Sequence, residues 1–165
     1  MKTALRIASV LTWFNLILWG LITALLFLGS LGMGLFLLVP AFILSSIPLN
    51  CYAALQLHKS IRNPTVKLSS QTPAGIRFIG FIALFFGILQ VTNSIGILKD
   101  PAEMLRLTKE SFSQVKGMDA YTMTTGLART SAVISLVLGL AILVNVLLNF
   151  RLLRWYYLVR QSDAS

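Results

Sequence analysis

The side chains that can do chemistry in this chain are chiefly amides and hydroxyls. Only 12% of the 165 residues are charged, against about 25% in an average soluble domain. Cys51 is the only cysteine and His58 the only histidine, so the chain can form neither an internal disulfide nor an ordinary zinc site. It also lacks serine-hydrolase, zinc-peptidase and phosphate-loop motifs. We therefore expect no enzymatic activity, no metal and no cofactor.

The amides and hydroxyls recur with small residues at helical spacing. One stripe has intervals of three and four residues and comprises Gly80, Ala83, Gly87, Gln90 and Ser94. A second stripe comprises Ser131, Ser135, Gly139, Asn145 and Asn149. A third comprises Thr12, Asn15, Trp19 and Thr23.

Two functions suit such stripes. Small residues let helices approach closely in lipid, and amides then bond one helix to another. Alternatively, the same groups line a path for a polar solute. We favour packing, because no charged residue accompanies the stripes. The residues that distinguish packing from a path are Asn15, Gly87, Gln90, Asn145 and Asn149.

The elements that carry these stripes follow from the charge-free runs. Ile7–Leu57 contains 51 residues, and Phe78–Leu98 and Thr130–Phe150 contain 21 each. A membrane-spanning helix needs about 20 apolar residues, so the first run holds two helices. Three glycines at 29–34 mark the turn between them. The predicted spans are 7–29, 32–57, 77–98 and 129–151.

The basic residues predict the orientation of these spans. Nine of the fourteen Lys and Arg lie before the first span, in loop 58–76, at Arg77, or at and beyond the end of the fourth span. Segment 99–128 carries four basic and four acidic residues, and Arg129 lies at its edge. The positive-inside rule then places both termini in the cytoplasm. The small size and the lack of an N-glycosylation acceptor favour a bacterial inner membrane.

Segment 99–128 contains a predicted amphipathic helix on the outer side, from Asp100 to Gly117. Asp100 suits the N-cap, Pro101 suits the first helical position, and Glu103 completes a capping-box pattern. Such a helix rests on the membrane or on its own protein, or it binds a partner.

The end of the fourth span, continuing into a cytoplasmic tail at 152–165, combines arginine with aromatic residues. This mixture is typical of an interface anchor, with a preference for anionic lipid headgroups. We expect Arg151, Arg154, Trp155 and Tyr156 to be the anchors, and we place His58 at headgroup level with the other basic residues of its loop. The topology accounts for the basic residues, so a nucleic-acid partner is not expected.

These patterns predict an all-α integral membrane protein forming a single domain over 1–165. Four transmembrane helices form a bundle, with a short amphipathic extracytoplasmic helix between the third and fourth. We expect a non-enzymatic protein that acts by helix association, as an accessory or assembly subunit or as a homo-oligomer. The alternative is a small channel or passive transporter with a path lined by amides and hydroxyls.

Overall fold

Four long helices make up most of the regular structure in the described part of this chain. A computed structural model describes residues 2–33, 38–63, 65–103, 105–106 and 124–162. Across these residues there is no strand, and each long helix has the length and apolar composition needed to cross a membrane. The prediction of an all-helical protein with four such helices is confirmed. Their bounds are Lys2–Met33 (α1), Leu38–Arg62 (α2), Thr72–Lys99 (α3) and Thr125–Ser162 (α4).

The helices extend beyond the predicted spans. The turn predicted at 29–34 begins too early, because α1 continues to Met33 and Ser30 Oγ donates to Phe27 O at 2.6 Å within the helix. Gly34 lies outside the described residues. Helix α2 ends at Arg62 instead of residue 57, and α4 runs from Thr125 to Ser162. The helical backbone hydrogen bonds continue through polar residues, so the charge-free runs identify only the apolar part of each helix.

Only the start of the predicted outer helix lies within the described residues. Residues 101–103 and 105–106 are helical, and Glu103 N donates to Asp100 Oδ1 at 3.0 Å, as an N-cap requires. The reciprocal capping-box bond is not formed, because Asp100 N donates to Gly96 O at 3.1 Å and the Glu103 carboxylate accepts from Arg106. The remainder, at 104 and 107–117, lies outside the described residues.

The chain divides into two compact units, the first comprising residues 1–86 and 141–165. All four helices contribute to its apolar core, which includes Ala8, Leu57, Ile76, Leu152, Leu153 and Tyr156. Gly80 allows a close approach in this unit, since a Cβ there would lie 2.7 Å from Phe150 Cε1. The absence of a side chain at residue 80 therefore lets α4 place an aromatic ring against α3.

The second unit comprises residues 87–140, the end of α3 and the start of α4. Its contact also depends on a glycine, because a Cβ at Gly139 would lie 2.9 Å from Val91 Cγ2. Ser94 on α3 and Ala132 on α4 are also buried in this unit, each with 1% of its surface exposed. Small residues thus lie where helices approach each other, as lipid-embedded packing requires.

Helix α1 is polar on its buried face and apolar on its exposed face. Thr12 and Asn15 are fully buried, whereas Val10 and Ile17 are 70% and 65% exposed. This is the reverse of the arrangement in a water-soluble helix. The exposed apolar surface fits a hydrocarbon solvent, and the polar stripe belongs to the interior of the first unit.

Candidate functional site

The interior of the first unit contains a polar cluster built from three helices. Helix α1 provides Thr12, α2 provides His58, and α4 provides Asn145 and Asn149. We call these four residues the amide–histidine cluster. Each is at most 2% exposed. Asn145 and Asn149 are one helical turn apart, so their side chains lie on the same face of α4.

Direct hydrogen bonds join the cluster from helix to helix. Thr12 Oγ1 donates to Asn145 Oδ1 at 2.8 Å, linking α1 to α4. His58 Nε2 lies 2.8 Å from Asn149 Oδ1, linking α2 to α4. An amide oxygen carries no hydrogen, so Nε2 is the protonated ring nitrogen in this contact. Asn149 Nδ2 donates to Asn145 Oδ1 at 3.2 Å and to Thr12 Oγ1 at 3.5 Å.

Two further contacts extend the cluster along the interior. Asn15 Nδ2 donates to Ala141 O at 3.3 Å, a second bond between α1 and α4. Asn145 Nδ2 donates to Cys51 Sγ at 3.5 Å, and Cys51 is fully buried. An amide cannot remove the thiol proton as a base would, so this contact does not make Cys51 a nucleophile. The described residues also contain no group of three or more His, Cys, Asp or Glu that could hold a metal.

Several buried polar atoms in the first unit have no hydrogen-bond partner among the described residues. One set recurs every fourth residue on α1, the other lies along one face of α2, and both leave bonding capacity available to water or a polar solute. The atoms on α1 are Asn15 Oδ1, Trp19 Nε1 and Thr23 Oγ1, and those on α2 are Ser46 Oγ, both amide atoms of Asn50, and His58 Nδ1.

A basic cavity adjoins the histidine end of the cluster. Its volume is about 300 Å³, and its lining includes His58, Lys59, Arg62 and Trp13. Arg62 Nη2 donates to Ser9 Oγ at 3.0 Å, which joins α2 to α1 beside the cavity. His58 therefore connects the amides of the cluster with a cationic surface.

The predicted amide residues do not gather at one site. Asn15, Asn145 and Asn149 lie in the first unit with the cluster. Gln90 lies in the second unit, where its Nε2 donates to Ser135 O at 3.0 Å and to Ser135 Oγ at 3.3 Å. Gly87 is buried at the beginning of the second unit.

Two expectations about the predicted cytoplasmic end were wrong. His58 is 2% exposed, so it points into the protein and not toward headgroups. Tyr156 is 8% exposed and belongs to the apolar core, because α4 turns this side chain inward. Arg151 and Arg154 are exposed, and Trp155 is half-buried.

The spacing of residues on α2 indicates that His58 is buried, although its neighbours in the sequence are basic. Small or polar residues occupy every fourth position along part of α2, namely Ser46, Asn50, Ala54 and His58. All four are buried. Following this face past the end of the apolar run would have placed the histidine inside.

Comparisons with known proteins add no identity to this site. No protein-family model, no curated protein and no solved structure matches the chain. The role of the cluster therefore has to be inferred from its own geometry.

Proposed function

We propose that this protein is a non-enzymatic membrane protein that acts by association, as an accessory or assembly subunit or as a homo-oligomer. Its four spanning helices form a bundle, both termini are cytoplasmic, and a short amphipathic helix lies outside between α3 and α4. The membrane is a bacterial inner membrane.

The observation that carries this proposal is the direct bonding of the amide–histidine cluster. Thr12 and Asn145 bond α1 to α4, and His58 and Asn149 bond α2 to α4. These groups bond to one another inside one chain, which favours a structural role for the interior. A protein whose interior is devoted to packing acts through its outer surface.

An exposed amide on α3 suggests where association occurs. Asn93 is exposed, and Leu89 and Ile95 on the same helix are 44% and 42% exposed. Amides on spanning helices form hydrogen bonds that support association in lipid. We propose that Asn93 contacts a neighbouring chain, whether a second copy or a different subunit.

The mass of the protein in a mild detergent tests this proposal. We expect a homo-oligomer or a complex of fixed stoichiometry, and Asn93→Leu should reduce its fraction by about half or more. Asn63→Leu is the matched control, because Asn63 is an exposed amide that lies after the end of α2 and outside the predicted spans. A single chain without a stoichiometric partner, at every detergent concentration, would contradict the proposal.

The proposed orientation has a separate test. Single cysteines are introduced as Ser111→Cys and Thr65→Cys in a Cys51→Ser background. A membrane-impermeant reagent added to intact cells should label residue 111 and leave residue 65 unlabelled. The opposite pattern would reverse the orientation without affecting the association proposal.

A second candidate function is a channel or passive transporter. It is favoured by the buried atoms without partners, notably those of Asn15, Asn50 and Thr23. Proteoliposomes should then transport glycerol or urea faster than protein-free vesicles, and Asn50→Leu should reduce that rate several-fold. A flux equal to that of protein-free vesicles, for the unaltered protein and for Asn50→Leu, would exclude this function.

A further inference from the structure

A second cavity lies between the beginning of α3 and the end of α4, in the first unit. Its volume is about 500 Å³, and arginines, aromatic rings and leucines line it. We call it the arginine groove, and its principal lining residues are Arg77, Phe81, Phe150, Arg154, Tyr157 and Leu158.

The two helices place the same pair of residue types in the groove. Arg77 is four residues before Phe81 on α3, and Arg154 is four residues after Phe150 on α4. Each arginine lies at or just beyond the end of a charge-free run, and each phenylalanine lies one turn closer to the middle of its helix. The groove is therefore cationic at one end and apolar toward the other.

Both arginines are available to an anion. They are exposed, and neither has a carboxylate partner among the described residues. The Arg77 guanidinium carbon lies 5.9 Å from the centre of the Tyr157 ring, a cation–π contact that holds the side chain beside the groove. Arginine binds phosphate oxygens through paired N–H groups, so these two side chains suit a phosphate.

The apolar part of the groove is formed by rings in contact. The centres of the Phe81 and Phe150 rings are 5.5 Å apart. Phe150 takes this position because Gly80 has no side chain to displace it. Phe81 is 64% exposed, so its ring is open to an acyl chain.

We propose that the arginine groove binds one anionic phospholipid. Its phosphate lies between Arg77 and Arg154, and one acyl chain runs from there along Phe81 and Phe150 toward the middle of the two helices. A soluble anion would make no use of the apolar wall, and a zwitterionic headgroup would bring a cation toward the two arginines. This inference rests on the proposed membrane location and is independent of how the chain associates.

Native mass spectrometry of the detergent-purified protein tests the groove. The protein is titrated with an equal mixture of phosphatidylglycerol and phosphatidylcholine carrying identical acyl chains. We expect the first phosphatidylglycerol to bind at least about tenfold more tightly than phosphatidylcholine, and Arg77→Gln with Arg154→Gln to abolish this preference. Inorganic phosphate at the same concentration should not displace the lipid.

Matched controls separate the groove from general surface charge. Arg6→Gln with Lys67→Gln removes two exposed basic residues outside the groove lining and should change affinity less than twofold. Equal losses in both double variants would overturn the proposal, and so would displacement by inorganic phosphate.

A second variant tests the acyl-chain contact without removing charge. Phe81→Ala should remove part of the apolar wall and weaken phosphatidylglycerol binding at least fivefold. Phe85→Ala is the control on the same helix, because Phe85 is 63% exposed and does not line the groove. Equal binding by the two variants would contradict the proposal. The same spectra report chain stoichiometry, so failure of lipid binding is distinguishable from failure of association.

Discussion

Amide side chains bond α3 or α4 to a neighbouring helix in both compact units, but their surroundings differ. In the first unit, Asn149 contacts His58, Asn145 and Thr12, all of them buried side chains. In the second unit, the Gln90 side chain donates to Ser135 alone among the described residues, and its 3.0 Å bond is to the backbone carbonyl. One amide belongs to a network of three helices, and the other supports a single pair.

This difference teaches where loss of an amide should be severe. A buried group that loses its partner costs about 1–3 kcal/mol, and removing Asn149 affects several such groups at once. A backbone carbonyl in a helix already accepts an intrahelical bond, so Ser135 O needs Gln90 less. The first unit should therefore depend on its amides far more than the second.

The largest expected effect is that of Asn149→Ala. His58 Nε2 and Asn145 Oδ1 each lose a contact, and we expect the free energy of unfolding in mixed micelles to fall by about 3 kcal/mol. Gln56→Ala, at an exposed amide on α2, should change it by less than about 0.5 kcal/mol.

A double-mutant cycle with His58→Ala sharpens this prediction. Because His58 and Asn149 bond directly, the double variant should lose at least about 0.5 kcal/mol less than the sum of the single losses. Strictly additive losses would mean that the 2.8 Å contact contributes nothing to stability.

Thr12→Val should have a smaller effect, because it keeps the side-chain shape and removes only the hydroxyl. Thr12 Oγ1 donates to Asn145 Oδ1, but that oxygen also accepts from Asn149 Nδ2. We expect a loss of about 1 kcal/mol in the same unfolding assay. Thr92→Val is the control at an exposed threonine on α3, and a loss equal to that of Thr12→Val would remove the distinction between buried and exposed hydroxyls.

The second unit should respond more weakly still. Gln90→Ala should cost about 0.5 kcal/mol, and Ser135→Ala should be close to neutral because the shorter bond goes to the backbone carbonyl at that position. If Ser135→Ala costs as much as Gln90→Ala, the 3.3 Å hydroxyl contact is the important one. A loss above that of Asn149→Ala would reverse the comparison between the units.

The helices were predictable because hydrocarbon excludes charge over a fixed length. The stripe on α1 was equally informative: Thr12, Asn15, Trp19 and Thr23 are all buried. Spacing alone identifies the face of a helix, because side chains three and four residues apart lie on the same side of it.

The partners within the site could not be predicted in the same way. Gln90 and Asn145 belong to similar stripes, yet they lie in different units and bond to different helices, Gln90 to α4 and Asn145 to α1. The prediction for Tyr156 was wrong because it used only the mixture of arginine and aromatic residues, which is typical of an interface anchor. The face of α4 that carries Tyr156 directs this ring into the core. Grouping His58 with Lys59 and Arg62 by charge ignored the face on which each residue lies.

The smallest expected effect concerns the ion pair at the start of the outer segment. The Glu103 carboxylate accepts from Arg106 Nη2 at 2.7 Å and from Arg106 Nε at 2.9 Å. These bonds lower the pKa of Glu103 below its ordinary value. The contact should therefore be fully present above that ordinary pKa and should be lost as pH falls through the lowered one.

A carboxyl-carbon NMR titration tests this pair. Arg106→Gln should raise the pKa of Glu103 toward its ordinary value, whereas Lys99→Gln, at an exposed residue outside the contact, should leave it lowered. Both side chains are exposed, so solvent screens the pair and neither variant should measurably change global unfolding. A Glu103 pKa that stays lowered in Arg106→Gln would show that the backbone at the helix start, rather than the arginine, stabilises the carboxylate.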